Sequence, residues 1–517
     1  MADTAETEVL VVGAGPTGLA LACGLRLHGV GVRVVDRSPG PATTSRANFV
    51  HARGSEVLDR LGALGTLPDE AGRALQVTTY LGDRPMVRLR FGDPGLRTAA
   101  PPLVVSQARV EAELRERLAG LGVEPEWSRG LRTATQDDDG VTAELSDGTS
   151  VRAAWLVGCD GTRSTVRKVA GIAAPGVRLS ERFLLADVHL GTAPGGPADP
   201  ALDRTGTSGW AGPAGLLGLM PMPHPDGDLW RVLAYDPDGP ADERLTPDEI
   251  LRRVTALVPA RAGRPIRVGT PEWLSEFTVH RRLADRYRAG RLLLAGDAAH
   301  AHAPFGGQGM LTGLGDAENL AWKLALVARG AAAPSLLDTY EAERRPLATD
   351  VLRGTSALTR VDVARSAAGR FLRDQVLVRA FRAGWVQRWA TWTTSQLWVS
   401  YRTGPLGARP FTRRPRPGDR VADVPVRRPD GTTTRLYSEL GGTWAYLRPA
   451  VPGARPRSAP AVLARLGGQV RVLDSTAPHR GTEAWLVRPD GHLAWRGTDA
   501  DDLDRWLTAA LTTGRRP

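Results

Sequence analysis

The sequence predicts an α/β protein with four parts in order. A parallel βαβ unit comes first, then a mostly antiparallel sheet, a helical segment, and a small α/β region at the end. Three observations carry this. Strand, glycine-rich turn, helix and strand follow one another within "EVLVVGAGPTGLALACGLRLHGVGVRVVDR", residues 8–37. A second apolar strand far downstream, in "LLLAGDAAHAHAPFGGQGM" (292–310), runs into Gly296-Asp297 and a glycine-rich stretch. After Gly404 the composition shifts, and "TRRPRPGDRVADVP" reads as a linker.

Composition bounds the function classes. The chain has 517 residues and is 42% hydrophobic, enough for sizeable cores. Its formal net charge is +11, yet only Lys168 and Lys323 are lysines among its 67 cationic residues. The arginines are scattered among aspartates, as in "RRLADRYRAGR", with no basic block. A nucleic-acid partner is therefore not expected. Two cysteines, Cys23 and Cys159, exclude a disulfide framework or a four-cysteine zinc site. The acidic start "MADTAETEVLVVGAG" enters a strand without a basic or apolar leader. No apolar run approaches 18 residues, so no membrane partner is expected and the chain reads as cytoplasmic.

Residues 8–37 form the best-defined unit. Val9 to Val12 is a short strand, and Gly13-Ala14-Gly15-Pro16-Thr17-Gly18 follows at once. An apolar helix and the strand Val32 to Val35 come next, closed by Asp36 and Arg37. A bare G-x-G-x-x-G is weak evidence. With strand, helix, strand and terminal acid around it, it marks a Rossmann-like dinucleotide-binding unit. The glycines let backbone approach a pyrophosphate, and the helix start offers free N–H groups. Asp36 can accept from both hydroxyls of an adenosine ribose.

The remaining elements follow in order. Arg46 and Arg53 bracket a turn before a helix in "TTSRANFVHARGSEVLDRLGALGTL". "VVSQARVEAELRERLAGLG" is an amphipathic helix with Gln107 near its start. A hairpin turning at Asp147-Gly148 leads to an apolar strand ending at Asp160-Gly161. Residues 175–285 read as the antiparallel second domain, inserted between 1–174 and 286–404. Its Trp210, Leu216, Leu217, Met220, Met222 and Trp230 suit an apolar substrate cavity or buried core equally well. A helix from about Leu311 carries Leu320, Leu324 and Val327 on one face. The helical region runs to about 400, where Trp385, Trp389 and Trp392 share a face expected to pack in a core or interface. Residues 405–517 read as a separate domain with two "RPDG" turns, at 428–431 and 488–491. Every cofactor motif lies before 320, so removing 406–517 is expected to leave cofactor binding intact.

Asp297 is the most informative acid. A second strand end can meet the far half of a dinucleotide held by the first. FAD, whose ribityl chain carries hydroxyls, gives a strand-end carboxylate more to bind than NAD does. Pro304 to Gly309 offers bare backbone beside a flat ring. The following helix start can stabilise negative charge on a reduced flavin. His300 and His302 lack further ligands nearby and read as packing rather than metal.

"GAGPTG", "CDGTRSTVRK" and "GDAAHAHAPFGGQGM", in this order and spacing, resemble the group A flavoprotein aromatic monooxygenases of the para-hydroxybenzoate hydroxylase fold. With "SRANFVHARGSEVLDRLG" and the C-terminal extension, the likeness is to actinomycete hydroxylases of aromatic polyketides and to rifampicin monooxygenase. The resemblance implies a Rossmann-like FAD-binding domain, an antiparallel substrate domain and a thioredoxin-like C-terminal domain lacking C-x-x-C. It implies transient NADPH, O₂ and a polycyclic aromatic substrate hydroxylated through a flavin C4a-hydroperoxide. Baeyer–Villiger or antibiotic-inactivating oxygenation is the alternative, and a non-catalytic flavin protein a third. A homodimer is possible. The resemblance places residues 13–18 on the pyrophosphate, Asp36 on the adenosine ribose, and Arg46 and Gln107 at the phosphate and ribityl region. Asp160 is tied to FAD and NADPH, Asp297 to the ribityl hydroxyls, and Gly309, Met310 and Leu311 to the flavin edge. No protein side chain is expected as a catalytic nucleophile. Leu311 and Gly315 depart from the usual Asn and Gln of the pattern.

Overall fold

The computed structural model describes residues 5–43, 47–72, 75–82, 84–91, 98–192, 202–212, 215–224, 229–236, 244–301, 307–362, 378–380, 383–408, 415–449, 459–475 and 483–516. Arg46 and Pro304 lie outside them.

The first sheet is parallel at its centre. Ala5–Val12 pairs with Val32–Val35 on one side and with Ser150–Gly158 on the other, and Leu292–Leu294 pairs beyond. The Leu131–Gln136/Val141–Leu145 hairpin pairs antiparallel with Ser150–Gly158. Runs of valine and leucine suit strands buried on both faces, and Val9 to Val12 are all buried. Two helices lie on this sheet, Pro16–Leu27 and the central helix Gln308–Ala328. A Cβ at Gly24 would stand 2.8 Å from the Ala321 Cβ, so glycine lets the two helices touch. The central helix begins three residues before the expected Leu311 and is buried almost all round.

The second sheet has eight strands among the described residues. Ile266–Leu283, Gly176–Thr192, Leu229–Asp236, Gly215–Pro221 and Gly206–Gly212 form its middle. It also recruits Gln76–Leu81 and Arg84–Arg90 from inside the first segment, and His300–Ala301 from beyond 285. The 175–285 boundary therefore misses a hairpin whose pairing is long-range and invisible to local pattern. The helix Pro247–Ala262 covers one face, started by a capping box in which Thr246 and Glu249 bond reciprocally. Leu184, Ala186, Leu217, Leu219, Val232 and Val254 fill the space between.

The C-terminal sheet runs in the order 433–435, 425–427, 470–475, 444–448, 484–487, 493–497. One face has its own core around Val426, Leu447 and Leu473. The other continues the core of the first sheet through Trp444, Leu463, Trp495 and Trp506. The region therefore packs against the body through an apolar face.

The two RPDG turns differ sharply. Arg428 and Asp430 sit on the surface. Arg488 and Asp490 are buried against the central helix. Arg488 donates through Nη1 and Nη2 to Glu343 at 2.8 and 2.9 Å. Lys323 Nζ donates to Glu343 Oε2 at 2.8 Å, and Trp322 Nε1 to Asp490 at 3.4 Å. Arg53 donates to the Asp490 carbonyl at 2.8 Å. Arg53 is therefore inside the helix Ala52–Leu61 and bound to the C-terminal sheet, not at a turn before it. Burial pulls Lys323 down to about 8. Burial would raise Glu343, but Arg488 and Lys323 outweigh it and hold it at about 2.

The tryptophan stripe is not part of the core. In the helix Gly384–Thr394, Trp385, Trp389 and Trp392 are 70%, 58% and 40% exposed. The helix buries Val386, Ala390 and Thr391 instead, against the Arg84–Arg90 strand. Among the described residues no helix is long and apolar enough to cross a membrane.

Two outcomes follow. Removing one partner of a buried ion pair costs about 3–5 kcal/mol, so Arg488→Met should destabilise by that much, and Arg428→Met, on the surface, should have far less effect. Urea melts of both variants read the contrast, and a chain ending at 404 should be insoluble. Glu343 titrates lower folded than unfolded. Its contribution is complete above its ordinary value and is lost as pH falls through about 2. The urea midpoint should drop over that range, and the drop should flatten in Arg488→Met.

Candidate functional site

The glycine turn is dictated by contact. Gly13 has φ +111, and a Cβ there would meet the Cys159 carbonyl oxygen at 2.4 Å. A Cβ at Gly18 would meet the Gly13 oxygen at 1.9 Å. Gly15 is different: nothing lies within 4 Å of its Cβ position. It precedes Pro16, which opens the first helix with no side chain capping it. The first N–H groups of such a helix have no partners within it. Ala14 N–H donates to Asp36 Oδ2 at 2.7 Å, and Ser38 N–H to Asp36 Oδ1 at 2.8 Å. Asp36 thus braces the turn while keeping acceptor capacity. Arg37 beside it is exposed. Gln107 is the first residue of its helix, with Nε2 on Glu111 at 2.8 Å.

The two later acids end neighbouring strands. Asp160 Oδ2 accepts from the N–H groups of Thr165 and Val166 at 2.6 and 3.2 Å. Its Oδ1 is buried with no hydrogen-bond partner. Asp297 lies in the short 3-10 turn Gly296–Ala298, exposed and with no side-chain partner among the described residues. It does not cap the central helix, whose N-cap is Gly307 in the left-handed conformation.

Thr17 joins the two motifs. A Cβ at Gly296 would meet its Oγ1 at 2.6 Å, and one at Gly313 would meet it at 2.2 Å. The two glycines form a slot for this side chain. Behind it lies a network that sequence reasoning missed. Asp316, fully buried, accepts from Gly296 N–H at 3.0 Å, bonds His300 Nε2 at 2.6 Å, and accepts from Arg344 Nε at 2.7 Å. Burial would raise its carboxyl, but His300 and Arg344 hold it below the usual range. Arg344 also donates to the Thr312 carbonyl at 2.9 Å and to the Tyr401 hydroxyl at 3.0 Å. A Cβ at Gly315 would stand 2.8 Å from Arg344 Nη2, so the guanidinium fills the space of a side chain there. No local pattern announces Asp316; the lone His300 was its only signal. Gly309, Met310 and Leu311 lie in the first turn of the central helix. Leu311 is buried and packs toward Gly54.

The second sheet divides the expected substrate residues by strand alternation. Trp210, Leu217 and Trp230 point into the core under the Pro247–Ala262 helix. Trp210 stacks on Tyr80 at 5.2 Å, and Arg204 lies over Trp230 at 5.4 Å. They are core residues, not cavity walls. Leu216, Gly218 and Met220 take the opposite face, as do Leu233 and Phe183. Gly209 pairs with Gly218 across the strands. Cβ atoms at these glycines would meet nothing closer than 3.8 Å, which leaves bare backbone on this face. Beside it lies the buried pair Asp187–Arg231, bonded at 2.7 and 2.6 Å. Asn48 Nδ2 lies 3.5 Å from the sulfurs of both Met220 and Met222. The next residue, Phe49, and His51 lie within 4 Å of the Cβ position of Gly307. This face therefore meets the first body near the start of the central helix.

Comparison with known proteins gives the class. A family model described as "FAD binding domain" matches residues 6–355. A second, "Aromatic-ring hydroxylase, C-terminal", matches residues 414–514. The chain is 42% identical over 364 residues to 6-methylpretetramide 4-monooxygenase of Streptomyces rimosus, covering 70% of this chain and 63% of that protein. It thus spans just under two thirds of that relative. It is 34% identical over 522 residues to rifampicin monooxygenase of Streptomyces venezuelae, covering 97% and 99%. The solved structure of PyrE3, a Diels-Alderase of pyrroindomycin biosynthesis, aligns with TM-score 0.76 at 32% identity, covering 98% and 99%. Both the nucleotide-binding body and the C-terminal sheet are matched, so the class is that of FAD-binding proteins. Within it, the chain belongs to the aromatic-ring hydroxylase family and is an FAD-dependent monooxygenase.

Two glycine substitutions should separate folding from binding. Gly18→Ala forces a methyl into the Gly13 carbonyl and should cost several kcal/mol or prevent folding. Gly15→Ala meets only open space, so its melting temperature without ligand should be unchanged while FAD affinity falls. Thermal melts and flavin fluorescence titration read the two effects.

Proposed function

We propose that this chain uses NADPH and O₂ to hydroxylate a polycyclic aromatic substrate of polyketide type, with FAD held across the strand ends of the first sheet. The observation that carries the reading is the placement of the bare Gly209/Gly218 face opposite the start of the central helix. The unpartnered Asp160 Oδ1 and Asp297, and the open space at Gly15, fit the cofactor. FAD held by these residues would supply the O₂ activation from which the transferred oxygen atom comes.

The chain's own groups bind and orient. Gly13 to Gly18 and the first helix start take the pyrophosphate, and Asp36 takes the adenosine ribose. Gln107 takes the phosphate and ribityl region, a role the family pattern also gives to Arg46. Asp297 accepts from ribityl hydroxyls, and Asp160 faces the same groove. The N–H groups of Gly309, Met310 and Leu311 favour negative charge on the flavin edge. Pro304 belongs to the same segment. Leu216, Met220 and Leu233 give the substrate an apolar wall, and Gly209 and Gly218 let a flat ring lie on backbone. In this reading the C-terminal region is a thioredoxin-like domain without dithiol chemistry. It stabilises the FAD-binding body.

The direct test incubates the enzyme with NADPH, air and a panel of polycyclic phenols and quinones. The reading expects NADPH consumption and products heavier by one oxygen atom. A lactone would mean Baeyer–Villiger insertion.

Two variants probe the site. Asp297→Ala removes a charge-assisted acceptor worth about 1.5–3 kcal/mol, so FAD affinity should fall about 10- to 150-fold. Melting without FAD should be unchanged, and the stabilisation gained on adding FAD should shrink. Gly218→Val raises side chain where a ring would lie, an overpacking of about 1–3 kcal/mol. Steady-state kinetics should show kcat/KM for fused-ring substrates reduced by about tenfold or more, with FAD content unchanged.

A further inference from the structure

Three ligand-type side chains outside the flavin site converge at one end of the second sheet. His189 lies near the end of Gly176–Thr192, His224 lies three residues past Gly215–Pro221, and Glu272 lies in Ile266–Leu283. Their segments are adjacent: His189 pairs with Leu229, whose carbonyl accepts from Met222 N–H. Glu272 is placed by a β-bulge. Asp187 pairs with Trp273 and Val188 with Pro271, so Glu272 is the extra residue between them. A bulge re-aims its side chain, and Glu272 Oε1 stands 3.3 Å from His189 Nε2. The two imidazoles lie 5.2 Å apart at 81°. One potential ligand atom from each residue falls within 4.8 Å of the other two.

We propose that His189, His224 and Glu272 bind a divalent transition metal, Zn²⁺ being the best match. Zn–N and Zn–O bonds of about 2.0–2.2 Å set tetrahedral ligand edges of about 3.3–3.5 Å. The His189–Glu272 separation already meets that edge. The exposed Glu272 side chain has room to close the rest. Two imidazoles select zinc over magnesium and calcium, which prefer oxygen ligands. Water takes the fourth position.

The site has a position that matters. His189 shares the face of Asp187, two residues and so about 7 Å along the strand. His224 follows Met222, whose sulfur touches Asn48 of the first body. A bound metal clips the chain after Met222 to two strands and fixes the rim where the second sheet meets that body. The proposal is independent of the flavin reading.

The test uses the untagged full-length holoprotein, freed of metal by a chelator. Calorimetric titration with ZnCl₂ should show one site per chain, and magnesium should show none. Even outer partners of a metal ligand are worth about 10- to 100-fold in affinity, so His189→Ala and His224→Ala should each lose at least tenfold. Both variants should lose the rise in melting temperature that Zn²⁺ gives the parent. Zn-edge X-ray absorption of the parent should show two imidazoles and no sulfur. No zinc binding, binding that survives both substitutions, or a sulfur ligand would overturn the proposal.

Discussion

Four strand ends stop at one level, and the functional half of the molecule depends on that alignment. Val12 is paired with Val35 on one side and Gly158 on the other, and Gly158 with Leu294. The residues just beyond this row are Gly13, Asp36, Cys159-Asp160 and the Gly296-Asp297 turn. They lie as much as 284 positions apart in the chain, yet parallel pairing leaves them no other place to meet. In open parallel sheets the crevice beyond the carboxyl ends of the strands is where ligands bind. The contacts are close enough to dictate residue type. Gly13 lies against the Cys159 carbonyl, and Thr17 fills the slot between Gly296 and Gly313. A substitution in one motif is therefore felt in the other.

Holding the central helix at this row requires charge to be buried behind it. Glu318, Lys323 and Asp316 lie on that helix, and Glu343 and Arg344 on the next, all buried. Each charge is tolerable only because it is paired, and several partners come from the C-terminal sheet or the loops before it. Arg488 answers Glu343, and Arg420 answers Glu56. Buried pairs contribute little net stability over apolar packing, but breaking one is costly. Their effect is to make the docked arrangement unique. That accounts for a C-terminal sheet with no cofactor motif sharing its core with the nucleotide-binding body.

What the sequence revealed and what it hid divide along the range of the interactions. The βαβ unit was legible because its glycines, helix and strands are consecutive and each constraint is local. The Asp147-Gly148 hairpin was legible for the same reason. The 76–90 hairpin was not, since its place in the second sheet depends on pairing with Gly206–Gly212, over a hundred residues away. The two RPDG turns are identical as text, and only the docking of one against Trp322 makes its arginine a core residue. The three tryptophans share a helix face that the chain's own core does not cover, because spacing fixes a shared face and not what covers it. Asp316 was passed over because nothing near it in the chain marks an aspartate that three distant donors will surround.

Alternation along the strands of the second sheet carries a further consequence for the substrate. One parity, Leu217 and Leu219, is committed to the core under the Pro247–Ala262 helix. The other parity, Leu216, Gly218 and Met220, is left for the face toward the first body. Leu216 and Met220 stand four residues apart, about 13 Å along the strand, and the span between them is bare because Gly218 and its neighbour Gly209 add no side chain. Across the strands the row runs Leu233, Gly218, Gly209, Thr79, so at about 4.8 Å per strand the flanking side chains stand about 14 Å apart. A flat fused-ring system would use that area. A single ring would leave most of it wet. The shape of the backbone at two glycines thus supports the polycyclic reading in a way that the apolar composition of the domain, shared equally between its two faces, could not.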